Sequence, residues 1–262
     1  MADIYDRTRM LIGQEGIDTL KHAHVLIAGV GGVGSFAAEA LARAGVGTFT
    51  LLDNDVVDLT NLNRQIQATQ ETVGKAKVTV MAERIGAINP EITVHTIQAF
   101  LLNDNIHVLG EVQYDYIIDA VDTVTAKLAL VEYARAHQIP VICSMGTANK
   151  LDATKFEVTD ISKTHTCPLA RVMRKELRDR GITEGVEVLY STAKPITPQC
   201  AADGERRPPG SISYVPSVAG LLLAGHVIQK LIEKYGEWPI PREVFGNVIN
   251  YMEKDKPISN ER

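Results

Sequence analysis

His24 to Gln65 reads HVLIAGVGGVGSFAAEALARAGVGTFTLLDNDVVDLTNLNRQ, and this stretch decides the fold. Val25 to Ala28 form a short apolar run of the kind a parallel strand buried on both faces shows. Gly29, Gly31, Gly32 and Gly34 turn the chain into a helix with Phe36, Ala37, Ala40, Leu41 and Ala44 on its apolar face, and Gly45 caps it. Thr48 to Leu52 form a second strand ending in Asp53, about 20 residues beyond the glycines. Strand, glycine turn, helix, strand and acid together spell a mononucleotide-binding unit. The glycines let backbone amides approach phosphate, the helix N-terminus adds partial positive charge, and the acid accepts from ribose hydroxyls.

Working outward, the same alternation continues. Residues 5–23 read as a helix with Leu11, Ile12, Ile17 and Leu20 as a broken apolar face. Gly74 to Asn89 read as a helix ended by Pro90, with Val78, Met81, Ile85 and Ile88 at helical spacing. Ile92 to Ile97 form a strand that leaves His95 half-exposed. Tyr114 to Ala120 form another buried strand, then Val124 to Gln138 a helix and Pro140 to Ser144 a strand. Asp122 follows the end of a strand, the edge where open α/β sheets bind ligands. Asp119 reads as a structural acid satisfied by backbone amides.

The string DNDVVDLTNLNRQ, with GKAK at 74–77 and IIDAVDT at 117–123, resembles the adenylating half of the ubiquitin-activating family, over about residues 5 to 235. The resemblance implies ATP-dependent conversion of a carboxylate into an acyl-adenylate. It implies that Gly29, Gly31, Gly32, Gly34 and Asp53 hold the nucleotide, with Asn61 near its phosphates. Arg64 and Lys77 match the residues that hold the triphosphate, and fixed cations stabilise charge developing on pyrophosphate. Lys75 stands close by, and the family spacing favours Lys77. Asp122 matches the aspartate linked to Mg²⁺, an ion that takes one or two carboxylates plus phosphate oxygens. Arg7 matches an arginine that reaches the ATP site of a partner subunit, which implies a homodimer.

MGTANKLDATKFEV at 145–158, ISKTHTCPLARVMRKELRDRG at 161–181 and VLYST at 188–192 resemble one branch of that family, the bacterial tRNA threonylcarbamoyladenosine dehydratases. These adenylate the carboxylate of a threonylcarbamoyl group on a tRNA adenosine, and a nitrogen of the same group then displaces AMP and closes a ring. The alternative is an activator of a sulfur-carrier or ubiquitin-like C-terminus. Thr123, where such activators carry Asn, and the lack of paired zinc cysteines count against it. A non-catalytic nucleotide-binding adaptor leaves the full set of phosphate residues unused, and NAD-linked oxidoreduction has no use for LTNLNRQ. A protein of a sulfurtransferase system stays open as a further partner.

Net charge is −5, which excludes a generally basic nucleic-acid binder but permits a local patch. That patch is the helix expected at Pro168 to Arg180: Lys163 to Arg180 carry six Lys or Arg against Glu176 and Asp179. Arg171, Arg174 and Arg178 are its candidate tRNA contacts, since phosphate contacts dominate such affinity. Cys143, Cys167 and Cys200 form no C-x-x-C, which suits a reducing cytoplasm. Cys143 reads as buried and inert, and Cys167 and Cys200 have no identifiable activating base.

The apolar run Val218 to Gly225 is shorter than the ~20 residues of a membrane span and reads as part of a buried helix. The expected organisation is one α/β domain with a doubly wound, mainly parallel sheet. It comprises an N-terminal helix (5–23), a nucleotide-binding core (24–150), an annex (151–215), a closing helix (216–235) and a tail (236–262). The proline-rich loop 192–213, with Arg206 and Arg207, is placed to cover the site or touch tRNA.

Overall fold

The computed structural model describes residues 3–197 and 209–235. Cys200, Arg206, Arg207 and the tail lie outside the described residues. Among the described residues, seven strands form one sheet: β1 (His24–Ala28), β2 (Thr48–Leu52), β3 (Thr93–Ile97), β4 (Tyr116–Asp119), β5 (Val141–Ser144), β6 (Phe156–Asp160) and β7 (Glu187–Ser191). Their order is β3-β2-β1-β4-β5-β7-β6, parallel throughout except that β6 runs antiparallel to β7. The order reverses between β1 and β4, which opens a crevice at their carboxyl ends.

The six α-helices among the described residues cover the sheet: α1 (Asp6–His22), α2 (Gly34–Ala44), α3 (Lys77–Ile88), α4 (Val124–Ala136), α5 (Pro168–Asp179) and α6 (Tyr214–Tyr235). Because successive strand residues point to opposite faces, β1 feeds two cores. Val25 and Ile27 join Phe49, Leu51, Leu41, Met81 and Leu223 under α1, α2, α3 and α6. Leu26 and Ala28 join Leu52, Ile117, Leu130 and Met173 under α4 and α5. Each such aliphatic side chain, fully buried, contributes about 1.5–3 kcal/mol.

Several expected boundaries shift, each for a local reason. The helix expected from Gly74 starts at Lys77, because Gly74 and Lys77 donate backbone bonds to Val57 and Asp55 and pin residues 74–76 to the crossover loop. α1 breaks at Gly13 (φ 70°, ψ 178°), which turns Leu11 outward to 63% exposure while Ile12, Ile17 and Leu20 stay buried. His95 is exposed on the edge strand rather than half-exposed. Residues 151–215 add β6 and β7 to the main sheet and pack α5 on α4.

The apolar run at 218–225 is part of α6, whose 22 residues are long and apolar enough to cross a membrane. Ala219, Leu223, Val227 and Leu231 instead seat one face of α6 in the core, against α2. Leu221 and Leu222 face outward.

Candidate active site

A cleft of about 430 Å³ opens at the reversal point between β1 and β4. Gly29, Gly31, Gly32, Asp53, Asn61, Arg64, Lys77 and Asp122 all line it. Residues as far apart in sequence as Gly29 and Asp122 meet there because β1, β2 and β4 lie side by side and end on the same edge.

The glycine turn is shaped by two close approaches. Gly29 has φ +86°, and a Cβ there would lie 2.6 Å from the Ala120 backbone. A Cβ on Gly34 would lie 1.8 Å from the Gly29 carbonyl oxygen, so strand and helix fit only without side chains. Gly34 is buried beneath the turn, whereas Gly31 and Gly32 face the cleft.

Asp53 ends β2 and is 8% exposed. One carboxylate oxygen accepts from Val30 N at 2.6 Å and the other from Asp55 N at 2.9 Å, tying β2 to the glycine turn. Burial pushes its carboxyl up, opposed by the nearby Lys77 charge and by these two amides. Each oxygen retains acceptor capacity for a ribose hydroxyl.

Lys77 stands at the first turn of α3, its stem buried and its ammonium 2.7 Å from Asp55. Arg64 is held by its own turn, donating to Thr60 O at 2.9 Å and to Asn63 Oδ1 at 2.8 Å. Asn61 is buried, and its side-chain oxygen caps Asp58 N at 3.1 Å. These two cations line the cleft together with Asp122, an exposed carboxylate that accepts from the Thr123 hydroxyl at 3.3 Å. Lys75 is exposed and does not line the cleft.

Asp119 differs from expectation. Besides the Val121 amide at 3.2 Å, its partner is Lys127, 3.0 Å away and fully buried with it. A lysine inside the apolar run Ala126–Val131 was the available signal. The walls also include Thr147, Ser211 of the loop expected to cover the site, and Gln65 and Phe100, which sequence patterning did not single out. Ser211 O accepts from Asn63 at 3.1 Å, and Gly210 N donates to Asn149 at 2.7 Å, so residues 210–211 bridge the two rims.

Arg7 is not in this cleft. It is exposed on α1, next to Tyr5, which packs on Gly45 and bonds Asn89. Gly45 and Asn89 end α2 and α3, just before β2 and β3 begin, so Arg7 sits at the opposite edge of the sheet. Arg171, Arg174 and Arg178 line a separate groove beside α5. Cys143 is fully buried and its thiol is pushed well up by burial; Cys167 is buried at the start of α5.

The chain is similar to known proteins along most of its length. The chain is 45% identical over 244 residues to the tRNA threonylcarbamoyladenosine dehydratase of Bacillus subtilis, covering 89% of this chain and 96% of that protein. The solved Escherichia coli tRNA N6-threonylcarbamoyladenosine dehydratase, in complex with AMP, superposes with a TM-score of 0.80 at 38% identity, over 89% of this chain and 98% of that one. Its complex with ATP gives a TM-score of 0.78 at 37% identity, with the same coverage. The sequence model of the ThiF family matches residues 5–257, and the chain belongs to the ThiF family.

Proposed function

We propose that this chain is an ATP-dependent tRNA threonylcarbamoyladenosine dehydratase. The observation that carries this reading is the cleft itself. Glycine turn, buried acid, two cations and an exposed carboxylate share one crevice, in a chain that covers nearly the whole length of relatives named for that reaction.

The chemistry follows from the parts. The amides of the glycine turn and the first turn of α2 face the nucleotide, and Asp53 accepts from its ribose. The tRNA carboxylate attacks the α-phosphorus of ATP, and pyrophosphate leaves. Arg64 and Lys77 offset the charge that grows on the leaving oxygens. A nitrogen of the threonylcarbamoyl group then attacks the adenylated carbonyl, expels AMP and closes the ring, a loss of one water overall. This nucleophile is internal to the substrate, so no thiol is required.

Among the described residues no cluster of three His, Cys, Asp or Glu exists. Asp122 nevertheless fits Mg²⁺, which binds ATP through one or two carboxylates plus phosphate oxygens and water. Bound there, the ion would neutralise phosphate charge.

Arg7 lies across the sheet from its own cleft, and Ile4, Met10 and Leu11 around it are 64%, 83% and 63% exposed. This arrangement supports a homodimer in which Arg7 serves the partner's cleft. A tRNA substrate supports a cytoplasmic site of action.

The test is incubation with ATP and tRNA carrying threonylcarbamoyladenosine. AMP, pyrophosphate and a tRNA nucleoside lighter by one water are expected, with Lys77→Met slower by about 10²–10³-fold. ADP and phosphate as products would overturn the adenylation step.

A further inference from the structure

A groove of about 660 Å³ runs along α5. Its walls carry Arg171, Arg174, Lys175 and Arg178 over an apolar floor of Ile161, Val172 and Ile182. The placement follows from helical periodicity. Ala170, Met173 and Leu177 are buried in the core, which turns Arg171, Lys175 and Arg178 to solvent along one stripe at i, i+4 and i+7.

Among the described residues, no acid pairs with any of these three. Of the acids around the groove, Glu132 and Glu176 pair with Arg180 at 3.1 Å each, and Asp160 accepts from Ser162, Gly185 and Val186 amides. Arg174 differs from its neighbours. Its guanidinium donates to the Thr164 carbonyl at 2.8 Å and to the Thr164 hydroxyl, so it fixes the segment leading into α5.

α5 also starts at the active cleft. Gly146 adjoins Thr147 on the cleft rim, and a Cβ on it would lie 3.8 Å from Cys167 Sγ and 3.9 Å from Leu169 Cβ. From that rim the stripe runs outward for about 10 Å between Arg171 and Arg178, at 1.5 Å per residue. A stacked nucleic-acid strand presents about three phosphates over that distance.

We propose, on the basis of the dehydratase reading above, that this groove holds the tRNA backbone next to the modified adenosine. Arg171, Lys175 and Arg178 contact successive phosphates, and Val172 and Ile182 take the apolar face of a sugar or base. Arg174 is a positioning residue that aims α5 from Thr164. An overall acidic chain binds a polyanion by concentrating unpaired cations in one groove beside the reaction centre.

The experiment measures affinity of the full-length protein for tRNA carrying threonylcarbamoyladenosine across a salt series. The triple variant Arg171→Gln, Lys175→Gln, Arg178→Gln should lose at least about tenfold in affinity. Its slope of log K against log salt should be shallower by about 2–3, at about 0.7–0.9 per lost contact. KM for tRNA should rise far more than kcat falls, as for a contact made equally in ground and transition states. Retained ATP binding reports that the variant is folded, and the Arg171→Lys, Arg178→Lys variant should keep the wild-type slope. Wild-type binding with an unchanged slope in the triple variant overturns this inference alone, as does loss of binding only to an acidic protein. A wild-type protein that binds no tRNA overturns the dehydratase reading and this inference with it.

Discussion

Lys127 Nζ lies 3.0 Å from the Asp119 carboxylate and 2.7 Å from the Ser144 carbonyl oxygen, and both charged side chains are fully buried. The ammonium thereby joins α4 to the carboxyl ends of β4 and β5. Asp122 and the 145–148 rim of the cleft emerge directly from those ends. Lys127→Met leaves the Asp119 charge buried without its counter-ion and should cost about 3–5 kcal/mol. Urea unfolding reads this directly. Pairing the change with Asp119→Leu should recover much of the loss, and a single variant as stable as wild type would show the pair to be unimportant.

Gly34→Ala should disturb the glycine turn without touching any charge. The added methyl meets the Gly29 carbonyl oxygen at 1.8 Å, so α2 must move away from β1. Overpacking of this kind costs about 1–3 kcal/mol. ATP affinity should fall as well, because the amides at Gly31 and Gly32 move with the helix. Calorimetric titration with ATP, beside a thermal melt, separates the two effects.

Glu39 supplies an acid-sensitive element. Burial raises its carboxyl, but bonds from Arg84 at 2.7 and 3.0 Å and from Arg43 at 2.7 Å outweigh this and hold it below its ordinary 4.5. Folding therefore favours the ionised form. The stabilisation is present above pH 4.5 and is lost as pH falls through the lowered folded value. Glu39→Gln should be less stable than wild type at pH 7, with the gap narrowing in acid. A gap that stays constant between pH 7 and pH 3 would remove Glu39 from the acid response.

Arg7 and Asp122 sit at opposite edges of the same sheet. Arg7→Ala and Asp122→Ala proteins should each be inactive alone. Mixed and re-equilibrated, they should regain activity, because a heterodimer holds one cleft with its own Asp122 and an intact Arg7 from its partner. Failure to complement, with mixed dimers shown to form, would end the cross-subunit role.

Much of this molecule is written locally. The strand His24–Ala28, the glycine turn, α2 and the strand to Leu52 follow from residue-by-residue patterning, because each depends on neighbours within a few positions. The residues singled out after each strand reach one cleft for an equally general reason: parallel strands place all their carboxyl ends on one edge. What only the tertiary structure decided are relationships between distant side chains. Glu39 and Arg84 meet across 45 positions, and Asn63 and Ser211 across 148. Lys127 turns inward to Asp119, and Arg174 bends to Thr164 and leaves Lys175 in the cationic stripe. The start of α3 at Lys77 depends on hydrogen bonds to Asp55 and Val57 in another segment. Local propensity contains no term for such pairs, because a charge buried by packing is stable only where the fold brings its counter-charge within about 4 Å.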